Sequence, residues 1–275
     1  MRINGFVLHG AVTVAVLASG VGAVVAGSGG GGVTLAGPQV LRLIQNAPAA
    51  LSSYPSVKMT IKFDIGVNGR SQSVNETAHI SSDGESGTFD VHLPNGEGTV
   101  SGLGVNRTVY MRASQQSVGT IGKHWIGLSI TTRGQTSPAQ TPTGNDALGF
   151  LHLMPGATGE VQQIGHDKID GVRTTHYRVT IDVAKAEQSM PDQFQRGSAG
   201  QLSQLGISTL PLDVWLDADN KLRQDKLSFD VQQMHFAMQM RLSGSSSPVH
   251  VTAPPASDVY FVTSSAELFQ QALQR

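Results

Sequence analysis

Cysteine is absent from the 275-residue chain. A chain without cysteine forms no disulfide, no zinc–cysteine site and no cysteine nucleophile, and it offers no thiol for lipidation. Charge is also scarce, because only 14% of the residues are Asp, Glu, Lys or Arg and the net charge is −1. Such a chain lacks the basic surface that nucleic-acid binding requires, so we expect no nucleic-acid partner.

The N-terminal segment 1–27 has the composition of an export signal. Arg2 is the only charged side chain before Arg42, and an apolar run rich in Ala, Val and Gly extends from Phe6 to Ala26. This order is typical of a signal peptide, although the run is also long enough for an N-terminal membrane anchor. Both interpretations predict export, either to the cell envelope at the outer face of the cytoplasmic membrane or by secretion.

Residues 24–28 are similar to the box that precedes the acylated cysteine of bacterial lipoproteins, but Ser28 occupies the cysteine position. Serine cannot form the thioether, so this chain is not lipidated there. The chain is then either a lipoprotein whose cysteine has been replaced or a natural relative that lost it. Ordinary signal-peptidase cleavage after Ala26 is the alternative. We interpret residues 28–37 as a Gly/Ser tether and residues 38–275 as one folded domain.

Alternation of apolar and polar residues dominates the mature chain. Val57 to Ile65 is the clearest example, and Asn-Gly and Asp-Gly pairs mark tight turns between such runs. Helices are predicted from Pro38 to about Leu51, from residue 145 or 146 to Met154, and after the capping box at Ser264. The fold class is therefore α+β: one large curved antiparallel sheet of about ten strands, a half-barrel, with helices covering its concave face.

The sequence contains no recognisable catalytic motif. It has no Gly-x-Ser-x-Gly elbow, and the glycines near Gly102 and Gly119 lack the spacing of nucleotide-binding loops. The segment from Asp217 begins like a calcium loop, but Lys221 stands at its fifth position, so we expect a hairpin turn. Single histidines in the polar phase of strands predict surface positions: His79, His92, His176 and His235. We expect no enzyme, no metal and no cofactor.

Several segments in this order resemble the actinobacterial envelope lipoproteins of the LppX/LprG type and the wider LolA-like group. They are Val57 to Ile65, Val109 to Arg112 followed by Trp125, Gly171 to Asp182, Leu212 to Arg223, and Val249 to Ala256. The resemblance spans roughly residues 38–260, and the chain departs from it at Ser28 and in the helix after Ser264. It implies a LolA-like lipid-binding domain whose half-open barrel encloses an apolar cavity, binds acyl chains and has no catalytic residues.

Methionine is frequent in the inward phase of the predicted strands, and its flexibility suits a surface that adapts to varied apolar shapes. From the residues alone this face fits the solid core of a sandwich at least as well as a cavity wall; the resemblance favours the cavity. The candidate ligand-binding residues are Met59, Ile61, Phe63, Met111, Phe150, Met154, Val214, Phe229, Met234, Phe236, Met238 and Met240.

The function hypothesis is a monomeric envelope protein that binds the acyl chains of a lipid or glycolipid and carries or transfers it. A membrane transporter or another envelope protein would be its partner. The alternative is a sensor or regulator module on the same fold that acts through a protein partner, with residues 131–145 and 184–209 as the contact surfaces. An envelope hydrolase is a third hypothesis, for which no nucleophile motif is found.

Overall fold

The computed structural model describes residues 34–67, 70–82, 86–96, 98–129, 149–189, 206–231 and 234–274. These residues form one sheet of thirteen strands. The strands are β1 (Thr34–Ala36), β2 (Ser56–Val67), β3 (Arg70–Ser81), β4 (Gly87–His92), β5 (Thr99–Val105), β6 (Thr108–Arg112), β7 (Trp125–Ser129), β8 (Ala157–Ile169), β9 (Val172–Asp182), β10 (Thr209–Asp217), β11 (Leu222–Val231), β12 (Met234–Ser245) and β13 (Val259–Val262).

The sheet is open, with the order β1-β8-β9-β10-β11-β12-β2-β3-β4-β5-β6-β7-β13. All neighbours are antiparallel except β13, which pairs with β7 in parallel. The predicted α+β class and single curved antiparallel sheet are confirmed. About ten strands were predicted and thirteen are found, partly because Thr34–Ala36 was assigned to the tether. In the structure these residues pair with residues 161–163 of β8 and form one edge of the sheet.

Two of the predicted turns join neighbouring strands in the structure, whereas the Asn-Gly pair at 68–69 and the Asp-Gly pair at 83–84 lie outside the described residues. Asp170 and Gly171, between β8 and β9, both have positive φ values, 49° and 82°. This combination is the type I′ turn, whose twist matches that of the flanking strands. The Asp217 carboxylate accepts hydrogen bonds from the backbone N–H groups of Asp219 and Lys221, both at 2.9 Å, and so closes the β10–β11 turn. The calcium-like segment is therefore a hairpin, as expected.

The described residues contain four α-helices: α1 (Pro38–Ala50), α2 (Gln115–Ile121), α3 (Val183–Ser189) and α4 (Ser265–Leu273). Helices α1 and α4 confirm the sequence prediction. The Ser264 hydroxyl caps α4 by accepting a hydrogen bond from the Glu267 N–H at 3.2 Å. The helix expected to end at Met154 is, in its described part, a 3-10 helix that spans Gly149–Gly156. No described helix has the length and hydropathy needed to cross a bilayer.

The helices and the sheet share one hydrophobic core. Helix α1 packs against β8, β11 and the 3-10 helix, α3 packs against the 3-10 helix, and α4 packs against β6 and β7. Their inward residues are fully buried, as are the sheet residues they cover: Ile44, Met154, Ala186 and Leu268 from the helices, and Val57, Val109 and Val214 from the strands. We call the face of the sheet that contributes to this core the inner face.

Gly156 allows the 3-10 helix to approach α3 closely. A Cβ at this position would lie 2.6 Å from the Ala186 Cβ and 2.7 Å from the Asp182 carbonyl oxygen. We expect Gly156→Val to lower the free energy of unfolding by about 2 kcal/mol, because backbone and helix must move to admit the side chain. Gly165→Val is the control, since a Cβ there meets nothing within 4 Å. Equal denaturation midpoints for the two variants would contradict this packing.

Candidate functional site

Strand register places the predicted ligand-binding residues on one surface. On β12, Phe236, Met238 and Met240 stand directly opposite Ile65, Phe63 and Ile61 of β2. On the other side of β12, Met238 pairs with Leu227 of β11 and Phe236 pairs with Phe229. Because side chains alternate between the two faces of a strand, all of these residues belong to the inner face.

Burial along this face is uneven. At the end formed by the start of β2 and the end of β12, Val57, Met59 and Leu242 are fully buried. At the opposite end, Phe63, Ile65, Phe229 and Met234 are only half-buried, and Val67 is 42% exposed. We call this second region the open end. It lies beside the β2–β3 and β11–β12 connections and groups several partly exposed apolar side chains.

Three aromatic rings form the centre of the open end. The Phe229 and Phe236 ring centroids are 5.0 Å apart, and those of Phe63 and Phe236 are 6.3 Å apart, both in tilted geometry. Phe63 and Phe229 are half-buried, whereas Phe236 between them is buried. Apolar side chains that stay partly exposed side by side are candidates for binding a ligand or partner. Methionine at the rim, here Met234, adds a side chain that adapts to different apolar shapes.

Most of the predicted site residues belong to this single surface or to the core beneath it. Eight are buried in the shared core, namely Met59, Ile61, Met111, Met154, Val214, Phe236, Met238 and Met240, and Phe63 and Phe229 pack against that core. Met234 is half-buried at the start of β12. The Phe150 side chain and Ser28 lie outside the described residues, as do residues 131–145 and most of residues 184–209.

Two carboxylates interrupt the inner face, and the sequence analysis did not single them out. Glu76 of β3 stands opposite Ile61, Ile61 pairs with Met240, and Met240 pairs with Asp225 of β11. The four residues thus form one row across four strands. Asp225 is 1% exposed, and Glu76 is half-buried as a residue although its Oε1 atom is shielded from solvent.

Neither carboxyl is fully satisfied. The Asp225 Oδ1 and Glu76 Oε1 atoms are buried and have no hydrogen-bond partner. Burial raises the pKa of Glu76 to about 7. Burial likewise raises the pKa of Asp225 to about 7, against the opposing effect of the backbone N–H groups of Met240 and Asp225. Buried polar atoms without partners are rare in native proteins and require an explanation.

A signal for both carboxyls is present in the sequence. Glu76 falls in the same alternating phase as Val74 and Ala78, and Asp225 falls in the phase of Leu227. A charged residue in the inward phase of a strand is rare unless it is paired or functional. Neither residue belongs to a catalytic or metal-binding motif, so motif patterns do not indicate them.

Carboxylates on the outer face behave differently, because they are paired. Asp213 lies 3.0 Å from His176 Nε2 and accepts a hydrogen bond from Arg178 Nε at 2.8 Å. Burial raises the pKa of Asp213, but the hydrogen bonds from His176 and Arg178 outweigh it and hold the pKa below its usual value. The His176 ring also stacks on Trp215 at 4.1 Å. The contacts among His176, Arg178 and Asp213 link β9 to β10, so we interpret these outer-face side chains as stabilising the sheet.

Ser56 and His79 form a serine–histidine pair, with Oγ and Nε2 2.7 Å apart. The Ser56 hydroxyl also donates to the Ser247 carbonyl oxygen at 2.7 Å. Its single proton is therefore directed away from the imidazole, which is the wrong arrangement for activating a nucleophile. In the described parts of the chain, no cluster of three or more His, Asp or Glu side chains could hold a metal ion.

Comparison with known proteins finds bacterial proteins that are similar to this chain. No protein-family model matches the chain. An uncharacterized 31.2 kDa protein from the rplA–rplJ intergenic region of Streptomyces griseus is 29% identical over 149 residues, which cover 50% of this chain and 48% of that protein. The chain thus matches about half the length of this relative.

Solved structures with a similar fold include two mycobacterial proteins. LprF from Mycobacterium bovis has 16% identity and a TM-score of 0.48, over 80% of this chain and 99% of its own. The lipoprotein LppX from Mycobacterium tuberculosis has 17% identity and a TM-score of 0.48, over 79% of this chain and 100% of its own. The similarity to LppX agrees with the resemblance to LppX/LprG-type lipoproteins that the sequence indicates.

Proposed function

We propose that this protein is a non-catalytic carrier of the cell envelope that binds the acyl chains of a lipid or glycolipid on the inner face of its sheet. The observation that carries the proposal is the open end, where the inner face leaves the core and remains half-exposed. Acyl chains would lie on Phe63, Phe229, Met234 and Phe236 and continue toward the buried methionines, while the head group stays near solvent.

The energetics favour such a ligand. Burial of apolar surface contributes about 25 cal/mol per Å2, so one acyl chain of ordinary length gains several kcal/mol on this face without a cofactor. Flexible methionines at Met238 and Met240 can repack around chains of different shape. Delivery of the lipid requires one partner that supplies it and another that receives it. A membrane transporter or another envelope protein is the expected partner of the exported chain.

A charge placed at the open end tests the proposal. We expect Phe229→Asp to reduce co-purified lipid at least about tenfold, because a carboxylate beside hydrocarbon is costly to desolvate. Ser228→Asp, on the neighbouring position of β11 and the opposite face, is the matched control and should retain the wild-type lipid content. The measurement is lipid per mole of protein after organic extraction and mass spectrometry, from protein expressed in an actinobacterial host.

A second variant guards against loss of folding. Met234 lies at the rim of the inner face, so Met234→Asp should keep the wild-type melting temperature while it also lowers lipid content. Wild-type protein that yields no lipid, or folded Phe229→Asp and Met234→Asp proteins that carry as much lipid as Ser228→Asp, would refute the carrier function. A wild type free of lipid that instead binds an envelope protein would support the sensor or regulator hypothesis.

A further inference from the structure

The row Glu76–Ile61–Met240–Asp225 places two acceptors without partners on a face that is otherwise apolar. We propose that Asp225 and Glu76 bind hydroxyl groups of the ligand, so that the carrier selects acyl lipids that bear free hydroxyls over purely hydrocarbon ones. This inference rests on the proposed function, because it assigns the ligand class of the same inner face.

The position of the two carboxyls favours a polar group of the ligand over a structural role. Met240 and Val214 flank Asp225 across the sheet, and Ile61 and Val91 flank Glu76. None of these neighbours offers a side-chain donor. Neither carboxyl takes part in the ion pairs found among the described residues, which involve other carboxylates. A ligand hydroxyl can supply the hydrogen bond that no side chain on this row provides.

Geometry argues against a cation as that donor. Three strand spacings separate β3 from β11 in the sheet, so the backbones of Glu76 and Asp225 are about 14 Å apart. Two carboxyls at that separation do not chelate one ion. In an apolar setting where both pKa values are about 7, each carboxyl is half-protonated at neutral pH, and a neutral hydroxyl can pair with either form.

Access to Asp225 involves its methionine neighbour. The Asp225 side chain is shielded from solvent by the packing of the inner face, in which Met240 is fully buried. Methionine has three rotatable bonds, so the Met240 side chain can repack around an entering hydroxyl. Two acceptors on one row also suit a ligand with more than one hydroxyl, such as the polyol part of a glycolipid.

The test compares two lipids that differ only in a donor. 1-Pyrenyldecane has no polar group, and its fluorescence reports binding to the inner face. Dioleoylglycerol and its 3-O-methyl ether are then used, in separate titrations, to displace this probe. For wild type we expect dioleoylglycerol to displace the probe at roughly 3- to 10-fold lower concentration, the effect of one net hydrogen bond. Asp225→Leu and Glu76→Leu should each reduce this preference, and the double variant should abolish it while it still binds 1-pyrenyldecane at least as tightly as wild type, because leucine removes a carboxyl from an apolar face.

Asp225→Asn is the conservative variant, because its amide oxygen still accepts a hydrogen bond. It should retain a preference for the free hydroxyl, whereas recognition of a cation would be lost. Wild type that does not bind 1-pyrenyldecane would overturn the proposed function itself. Wild type that binds the probe but is displaced equally by both glycerides, or an unchanged preference in the double variant, would overturn only the hydroxyl site and leave the carboxyls to buried water.

Discussion

Asp225→Leu is expected to stabilise the protein more as the pH rises from 4 to 8. Burial raises the pKa of Asp225 from 3.8 in the unfolded chain to about 7 in the folded protein. Between these values the unfolded chain has released the proton and the folded protein has kept it, so the free energy of unfolding falls as the pH rises. For one carboxyl the loss reaches up to about 4 kcal/mol, is complete above about pH 8 and is largely absent below about pH 4.

The measurement is the difference in unfolding free energy between Asp225→Leu and wild type, from urea titrations at intervals between pH 4 and 8. Val214 and Met240 flank Asp225 on its row, and Glu76 is the ionisable residue that shares the row. Leucine matches the shape of aspartate and removes the unsatisfied atom, so the variant should fold. Asp219→Leu, in the exposed β10–β11 turn, is the control and should show no such trend.

A difference that stays constant from pH 4 to 8 would contradict the prediction, because it would mean that Asp225 titrates alike in the folded and unfolded chains. The same experiment informs function. Under the proposed function, a ligand hydroxyl that donates a hydrogen bond to Asp225 would recover part of the free energy of unfolding that is lost near neutral pH.

The alternating phase in the sequence was enough to predict the sheet and most of the inner face. The period of two that begins at Val57 appears in the burial of β2 as far as Lys62, and the turn at Asp170 and Gly171 adopts the conformation that its residues favour. Edge strands were harder to predict. Thr34–Ala36 and Val259–Val262 are short, and each pairs on one side only, so their sequences carry little of the alternation that a central strand requires.

The candidate site was predicted less completely than the fold. Phase identifies which residues face inward, but the difference between the buried end and the open end depends on which strands the helices cover. That coverage is tertiary: α1, α3 and the 3-10 helix pack toward β8 and β9, and α4 packs on β6 and β7. Phe229 and Leu227 share a phase on β11, yet Leu227 is buried and Phe229 is half-buried. No local pattern separates the two.

Met238 and Met234 provide the sharpest test of this difference. They lie on the same face of β12, four residues apart, but Met238 is 1% exposed between Leu227 and Phe63 whereas Met234 is half-buried. We expect Met238→Ala to lower the free energy of unfolding by about 2–4 kcal/mol, because it removes buried apolar atoms and leaves a cavity. Met234→Ala should cost less than about 1 kcal/mol, since much of its side chain already contacts water.

Denaturation of lipid-free protein measures both effects, and each outcome bears on how a ligand binds. Under the proposed function, the expected contrast means that acyl chains would enter at the open end and would reach Met238 only by repacking the core. A loss below about 1 kcal/mol at Met238 would contradict the expected contrast, because a side chain that lines an existing cavity makes few contacts to lose. The inner face would then be open along its length, and the chains would lie against Met238 without rearrangement of the sheet.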